Sequence, residues 1–325
     1  MESLDKRIIM EDMTMISHTQ NNLVLAPIVL FVYNRLSHTQ KTIEALQKNL
    51  LASESELFIF SDGPKNDAGE LKIDALRQYL KTITGFKRIE IIERETNRGL
   101  AESVIAGVTQ IVNKYGCVIV LEDDLVTSPF FLTYMNDALL MYQNDEQVIS
   151  IHGYVYPVKE KLPETFFIKG ADCWGWATWK RGWDLFERDG KKLLQELQEK
   201  KLTKSFDFDG TYAYTLMLKS QTKGFNSSWA IRWYAAAFLA NKLTLYPGKS
   251  FVQNIGLDNS GTHTGKTKHF DVDLIESPCN LRKIEITENI FARKMFMHYF
   301  SSWKMRAIYL SMIFSYVKKS LKKFV

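Results

Sequence analysis

Cysteine is scarce in this sequence. Cys117, Cys173 and Cys279 are its three residues, widely spaced and without a Cys-x-x-Cys pair. An odd and scattered set excludes a disulfide framework and a zinc ribbon, and makes a reducing compartment the default expectation. Long apolar runs are missing as well. No stretch of about 18 apolar residues occurs, so no transmembrane helix is expected. Residues 1–22 carry Glu2, Asp5, Glu11 and Asp12 around no apolar core, and read as a loose leader, not a secretory signal. Neither Gly-x-x-x-x-Gly-Lys-Ser/Thr nor Gly-x-Gly-x-x-Gly is present, which argues against P-loop and dinucleotide-binding modes. Acids are absent from Arg293 onward, where Arg293, Lys294, Lys304, Arg306, Lys318, Lys319, Lys322 and Lys323 alternate with aromatic and aliphatic residues. That composition suits a basic amphipathic helix in an anionic membrane interface, and equally a packed C-terminal helix with a solvated basic end. Basic residues confined to one tail, with no recognition motif, do not suggest nucleic acid.

The remainder is globular material. With 325 residues, 46% of them hydrophobic and 24% charged, the chain has ample core for one large domain or one domain with an appendage. Its organising stretch is Val118–Leu125, an apolar run ending in Glu122, Asp123 and Asp124. Four branched apolar residues in a row fit a strand covered on both faces. Carboxylates cannot remain in such a core unpaired, so they emerge where the strand ends. There they read either as ligands for a hard cation such as magnesium or manganese, or as acids favouring the N-terminus of the helix that starts after Ser128-Pro129.

Upstream, apolar strands alternate with helical stripes. Leu23–Val32 is read as the first strand, followed by Tyr33-Asn34-Arg35 and a helix with Ile43, Leu46 and Leu50 on one side. Leu57–Phe60 ends in Ser61-Asp62-Gly63-Pro64, and Ile89–Glu93 is followed by Asn97-Arg98-Gly99-Leu100 and a helix over 101–115. Such alternation predicts a mostly parallel α/β sheet with right-handed crossovers. Four polar loops then gather on one edge, carrying Asn34 and Arg35, Asp62, Asn97 and Arg98, and Glu122 to Asp124. Guanidinium beside phosphate, Asp62 toward base or ribose, and a metal between acids and phosphate suit a nucleoside diphosphate.

The second half is less regular. A helix over 130–142, strands at 148–153 and 243–246, a charged helix at 191–204 and an apolar helix from Trp229 are expected. Trp174, Trp176 and Trp179 form either core or an aromatic wall for a sugar ring. Asn254–His263 is a loop rich in glycine and polar residues that can close on a substrate.

With these residues in place, the chain resembles glycosyltransferases of the GT-A fold over about residues 27 to 263. The resemblance is carried by Tyr33-Asn34-Arg35, Ser61-Asp62-Gly63, Asn97-Arg98-Gly99-Leu100 and Glu122-Asp123-Asp124, the last in the place of the family's Asp-x-Asp. The Glu-Asp-Asp form is similar to the N-acetylglucosaminyltransferase I branch and its bacterial family-2-like relatives. The resemblance implies a GT-A domain over 23–290, with a nucleotide-sugar half (23–127) and an acceptor half (128–290), followed by a basic amphipathic helical tail (291–325). It implies a nucleotide-sugar donor, with UDP favoured, a Mn2+ or Mg2+ ion, and transfer of a hexosyl or N-acetylhexosaminyl group to an acceptor hydroxyl with inversion. Asp124 and His263 are then the metal ligands. Tyr33, Asn34, Arg35, Asp62, Asn97, Arg98, Glu122 and Asp123 bind the nucleotide sugar. Trp174, Trp176 and Trp229 contact the donor sugar or acceptor.

Inversion calls for a general base. The branch keeps it in a tryptophan-containing segment with adjacent aspartates, and Ser227–Arg232 here has no carboxylate. Asp172, Asp184 and Asp258 are the substitutes. A glycan or lipid-linked acceptor and a cytoplasmic protein, peripheral on the inner face of the plasma membrane, follow from the tail and the family. Two alternatives stay open: a catalytically silent nucleotide-sugar-binding protein of the same shell, and a sugar nucleotidyltransferase.

Overall fold

Unbroken branched apolar runs make the inner strands of this protein, and amphipathic stripes between them make the helices that cover the sheet. A computed structural model describes residues 24–260 and 267–321. The first half comprises β1 (Ile28–Val32), α1 (Leu36–Gln47), β2 (Glu56–Ser61), α2 (Asp67–Leu80), β3 (Arg88–Glu93), α3 (Leu100–Tyr115) and β4 (Cys117–Glu122). The middle continues with β5 (Leu125–Thr127), α4 (Phe131–Met141), β6 (Val148–His152), β7 (Thr165–Lys169), β8 (Trp176–Trp179), α5 (Lys180–Trp183), α6 (Gly190–Glu199) and α7 (Thr203–Phe206). Then follow α8 (Tyr214–Thr222), α9 (Ala230–Leu239), β9 (Leu243–Pro247), β10 (Val252–Asn254), α10 (Ile290–Phe300) and α11 (Trp303–Leu321). The expected leader, residues 1–22, lies outside the described residues.

One sheet has the order β3-β2-β1-β4-β8-β6-β9-β7. Its first four strands are parallel, and β8 joins β4 and β6 antiparallel. This is the mostly parallel α/β sheet with flanking helices that the alternation predicts. Side chains alternate between its two faces. Ile28, Leu30, Leu57, Ile59, Ile119 and Leu121 belong to one core, and Val29, Phe31, Phe58, Phe60, Val118 and Val120 to the other. α3 packs on the second face through Val104, Val108, Ile111 and Val112. Gly107 lets it approach: a Cβ there would meet the Phe31 ring at 2.7 Å.

Two elements differ from the sequence expectation. The tryptophan-rich stretch, where the sequence predicts no strand, contributes one: Trp176–Trp179 forms β8, with Trp176 opposite Val120 and His152. Strand formation there depends on partners distant in sequence, which local pattern does not reveal. The tail, as far as the described residues run, is two helices. α10 belongs to the domain, with Ala292, Phe296 and Phe300 buried and Arg293 facing Asp209 and Glu288, while α11 runs across α8.

β2 and β3 lie on one side of β1, and β4 on the other, so the strand order reverses at β1/β4. In open α/β sheets, ligands bind at such a switch point, beyond the carboxyl ends of the strands. The register places Phe31 opposite Glu122, so Tyr33–Arg35 and the three acids leave the sheet side by side.

Candidate active site at the sheet switch point

A cavity of about 490 Å³ opens at this edge. Tyr33, Asn34, Arg35, Asp62, Asn97, Glu122, Asp123, Asp124 and Trp174 all line it. The four polar loops therefore converge as the alternation implies. The acids are not a helix cap, because β5 separates them from α4, whose first turn is met by Ser128 instead.

Arg35 governs the charge of the site. Its Nε donates to Asp123 Oδ2 at 3.2 Å, its Nη2 also bonds Asp123 Oδ1, and Nη2 donates to Asp124 Oδ2 at 2.8 Å. Burial alone would lower its pKa, but the hydrogen bonds and charges of the two aspartates outweigh that and raise it. Burial pushes Asp123 up to about 6, against the Arg35 contact. Glu122 is pushed further, to about 8, by burial and by the charges of Asp124 and Asp123, opposed by Arg35 and by a hydrogen bond from Trp229. Near neutrality Glu122 is thus mostly protonated, while Asp123 and Asp124 share one guanidinium.

The backbone around these acids is clamped. Thr42 Oγ1 of α1 donates to the Asp123 carbonyl at 2.9 Å, and Ile255 N donates to the Asp124 carbonyl at 2.9 Å. The second contact comes from the β5–β10 ribbon, which lays Asn254, Gly256, Leu257 and Ser260 along the cavity. Gly256 sits against the Asp124 carboxylate so closely that a Cβ would fall 1.9 Å from Oδ2. Across the cavity, Asp62 accepts from the amides of Gly63, Arg98 and Gly99 at 2.8 to 3.2 Å, joining the β2 loop to the start of α3. Asn97 Nδ2 donates to the Gly63 carbonyl at 2.9 Å.

Several expected residues stand elsewhere. The Arg98 side chain is exposed and off the cavity wall, since its part in the loop is played by the backbone N–H. Trp176 cannot stack on a sugar: it is fully buried among Trp183, Trp229 and Trp233, at ring centroids 5.6 to 5.7 Å. Trp229 is buried too and acts on Glu122. Trp174 alone of the three is half-buried and faces the cavity. Asp184 is exposed at the end of α5, where Lys180 holds it at 2.7 Å, and it lines none of the cavities described here. Asp258 pairs with His38 at 3.2 Å, and hydrogen bonds from Ser260 hold its carboxyl down at about 2. It too is off the cavity wall. His263 lies outside the described residues.

Asp172 remains. Its Oδ2 accepts from Tyr156 OH at 3.0 Å and Tyr246 OH at 3.4 Å, and its Oδ1 from Cys173 N. It lies on a neighbouring cavity of about 650 Å³ that shares Trp174 and Leu257 with the first. Tyr212 and Tyr214 line this cavity as well, and burial followed by the Asp172 charge raises the pKa of both. These tyrosines were not legible as a group, because only the tertiary fold brings positions 156 to 246 together. Ser103 was also missed. Its hydroxyl is buried on the wall of the first cavity without a partner among the described residues.

The donor set suits a hard cation held mainly by substrate. Among the described residues no three His, Cys, Asp or Glu side chains are grouped to cage a metal. Arg35 takes only Oδ2 of Asp124, and one or two carboxylates plus phosphate oxygens are what magnesium commonly uses.

A family model described as Glycosyl transferase family 2 matches residues 28–193. Two crystal structures of S. aureus TarS are similar in structure. One has a TM-score of 0.31 at 14% identity, covering 46% of this chain and 25% of that one. The other, TarS 1-349, has a TM-score of 0.38 at 10% identity, covering 70% of this chain and 60% of that one. This chain therefore spans a quarter of the longer TarS chain and 60% of the shorter. No curated protein matches.

Proposed function

The chain belongs to glycosyl transferase family 2, and on that premise we propose that it moves a hexosyl or N-acetylhexosaminyl group from a nucleotide sugar, UDP-linked in first choice, to an acceptor hydroxyl with inversion. The family match covers the sheet half that builds the first cavity. The observation that carries the reading is the convergence of Tyr33–Arg35, Asp62 and Glu122–Asp124 on that cavity at the switch point. In this reading the cavity takes the donor, with the nucleoside toward Asp62 and the diphosphate toward Arg35 and Asp124. The N-acetylglucosaminyltransferase I branch is the sub-family we favour, on the Glu-Asp-Asp form of the acids.

Chemically, the acceptor oxygen attacks the anomeric carbon as the bond to the diphosphate breaks, and the acceptor proton passes to a base. Asp172 is the base in this reading, because it alone of the three candidate aspartates lines the cavity beside the donor site. Trp174, between the two cavities, contributes an aromatic face to the sugar in transfer. A divalent cation, Mn2+ or Mg2+, would be held by Asp124 and would supply charge stabilisation for the departing diphosphate. The acceptor is a glycan or lipid-linked glycan. The basic tail favours an anionic membrane, hence a cytoplasmic protein on the inner face of the plasma membrane in bacterial surface polysaccharide or glycolipid assembly.

Calorimetric titration of a panel of nucleotide sugars, with and without Mn2+, tests the reading. One donor is expected to bind the wild type in a metal-dependent way, and Asp124→Ala to weaken it by about a hundredfold. Binding of no donor, or binding indifferent to Asp124, removes the transferase reading. A milder probe of the same carboxylate is Gly256→Ala. The added methyl would fall 1.9 Å from Asp124 Oδ2 and 2.9 Å from its Cβ, so both carboxylate and backbone must give; donor affinity is expected to drop roughly tenfold and the unfolding temperature to fall by a few degrees. Equal affinities would show that the position of this carboxylate does not matter.

A further inference from the structure

Two cavities lie side by side beneath α11. One is the Asp172 cavity, and the other, of about 570 Å³, reaches Glu122 and Trp229. Both share Cys173, Trp174 and Met217, and both take Ser311 and Met312 of α11 as wall. The helix is thus a roof, held near its ends. Met305 is buried, Lys319 Nζ donates to the Phe225 carbonyl at 2.8 Å, and Tyr316 meets the Phe225 ring edge-on. Between these anchors Ala307, Ser311 and Ser315, one turn apart, leave an exposed edge of small side chains along the cavities.

The outer face of α11 is of opposite character. Trp303, Leu310, Phe314 and Val317 are 76, 52, 73 and 47% exposed. At 3.6 residues per turn they fall within about 60° of arc, and Ala307 lies next to them at about 40° from Trp303. Covering such apolar side chains is favourable, so a contiguous stripe of four marks a docking face. Arg306 and Lys318 flank it, both exposed, and no acid follows Glu288 in the chain. No helix among the described residues is long and apolar enough to cross a membrane. An apolar stripe whose flanking charges are all cations fits the headgroup region of an anionic bilayer, with the helix in its plane.

We propose that the acceptor is a sugar carried on a lipid anchor in an anionic bilayer, entering beneath the small-residue edge of α11 while the apolar stripe holds that helix in the interface. This rests on the transferase reading above and assigns its acceptor class. Stripe and small-residue edge adjoin on one helix. A lipid whose chains lie along Leu310 and Phe314 therefore presents its headgroup directly to the cavity that contains Asp172.

Two measurements test it. The full chain is mixed with vesicles of phosphatidylcholine alone or with phosphatidylglycerol added, and floated on a density gradient. Wild type is expected to float with the anionic vesicles, and Leu310→Glu/Phe314→Glu to lose this by at least roughly tenfold. Both positions are exposed, so the variant keeps wild-type thermal unfolding and nucleotide-sugar binding. The second probe is dodecyl maltoside, a sugar head on one alkyl chain, used below its micelle concentration. Ser311→Trp is expected to float like wild type but to bind this probe about tenfold more weakly, because the indole fills the entrance. Flotation unchanged by the two glutamates, or probe binding unchanged by Ser311→Trp, overturns the proposal. So does a wild-type dimer that the two glutamates convert to a monomer, since the stripe would then belong to a second copy. Failure of every nucleotide sugar to bind wild type would instead remove the transferase reading, with flotation still judging the docking face.

Discussion

Asp172→Asn is expected to lower kcat by about a thousandfold while donor affinity stays within a factor of about two, the pattern of a lost general base. Asparagine keeps the shape and an acceptor oxygen for Tyr156 and Tyr246, so the tyrosine cluster is not dismantled. It has no lone pair basic enough to take the acceptor proton. Steady-state kinetics beside donor calorimetry make the check. The distinguishing readout is the split itself, a large loss of kcat beside unchanged donor affinity, which a merely structural role of Asp172 would not produce. A full-rate Asp172→Asn enzyme would reduce this carboxylate to an anchor for the surrounding hydroxyls. Tyr156→Phe removes its 3.0 Å hydrogen bond and provides the graded control.

Glu122→Gln is the second large effect, and it concerns stability. The folded protein holds the Glu122 proton up to about pH 8, whereas its ordinary value is 4.5. For an acid raised on folding, the folded state binds more protons than the unfolded chain, and stability falls as pH rises between those two values. Glutamine carries no such charge and still accepts from Trp229. The variant should therefore match wild type near pH 4 and exceed it above pH 8, by on the order of 2–4 kcal/mol or roughly 5 °C in unfolding temperature. Thermal unfolding at pH 4.5 and 9 decides this. A difference that is the same at both values would mean that the buried charge is not its source. A site residue whose removal stabilises the fold is expected where charge has been gathered for function.

Much of this was legible in the sequence, for one physical reason. The first half is an alternation of short apolar runs and helical stripes, and that pattern alone dictates a parallel sheet with its polar loops on one edge. Tyr33–Arg35, Asp62, Asn97 and Glu122–Asp124 could therefore be assigned to a common site from their places at strand ends. The family resemblance was legible in the same residues. Tertiary structure decided what the alternation does not encode. It turned Trp176 into core by pairing β8 with β4, carried Asp184 onto the surface, and set Asp172 among tyrosines from remote parts of the chain. It also paired Arg35 with both aspartates, brought Gly256 against Asp124, and split the basic tail into one helix that closes the domain and one that roofs two cavities. These depend on contacts between residues far apart in sequence. The period of a single element specifies which of its faces is buried, but not what it is buried against.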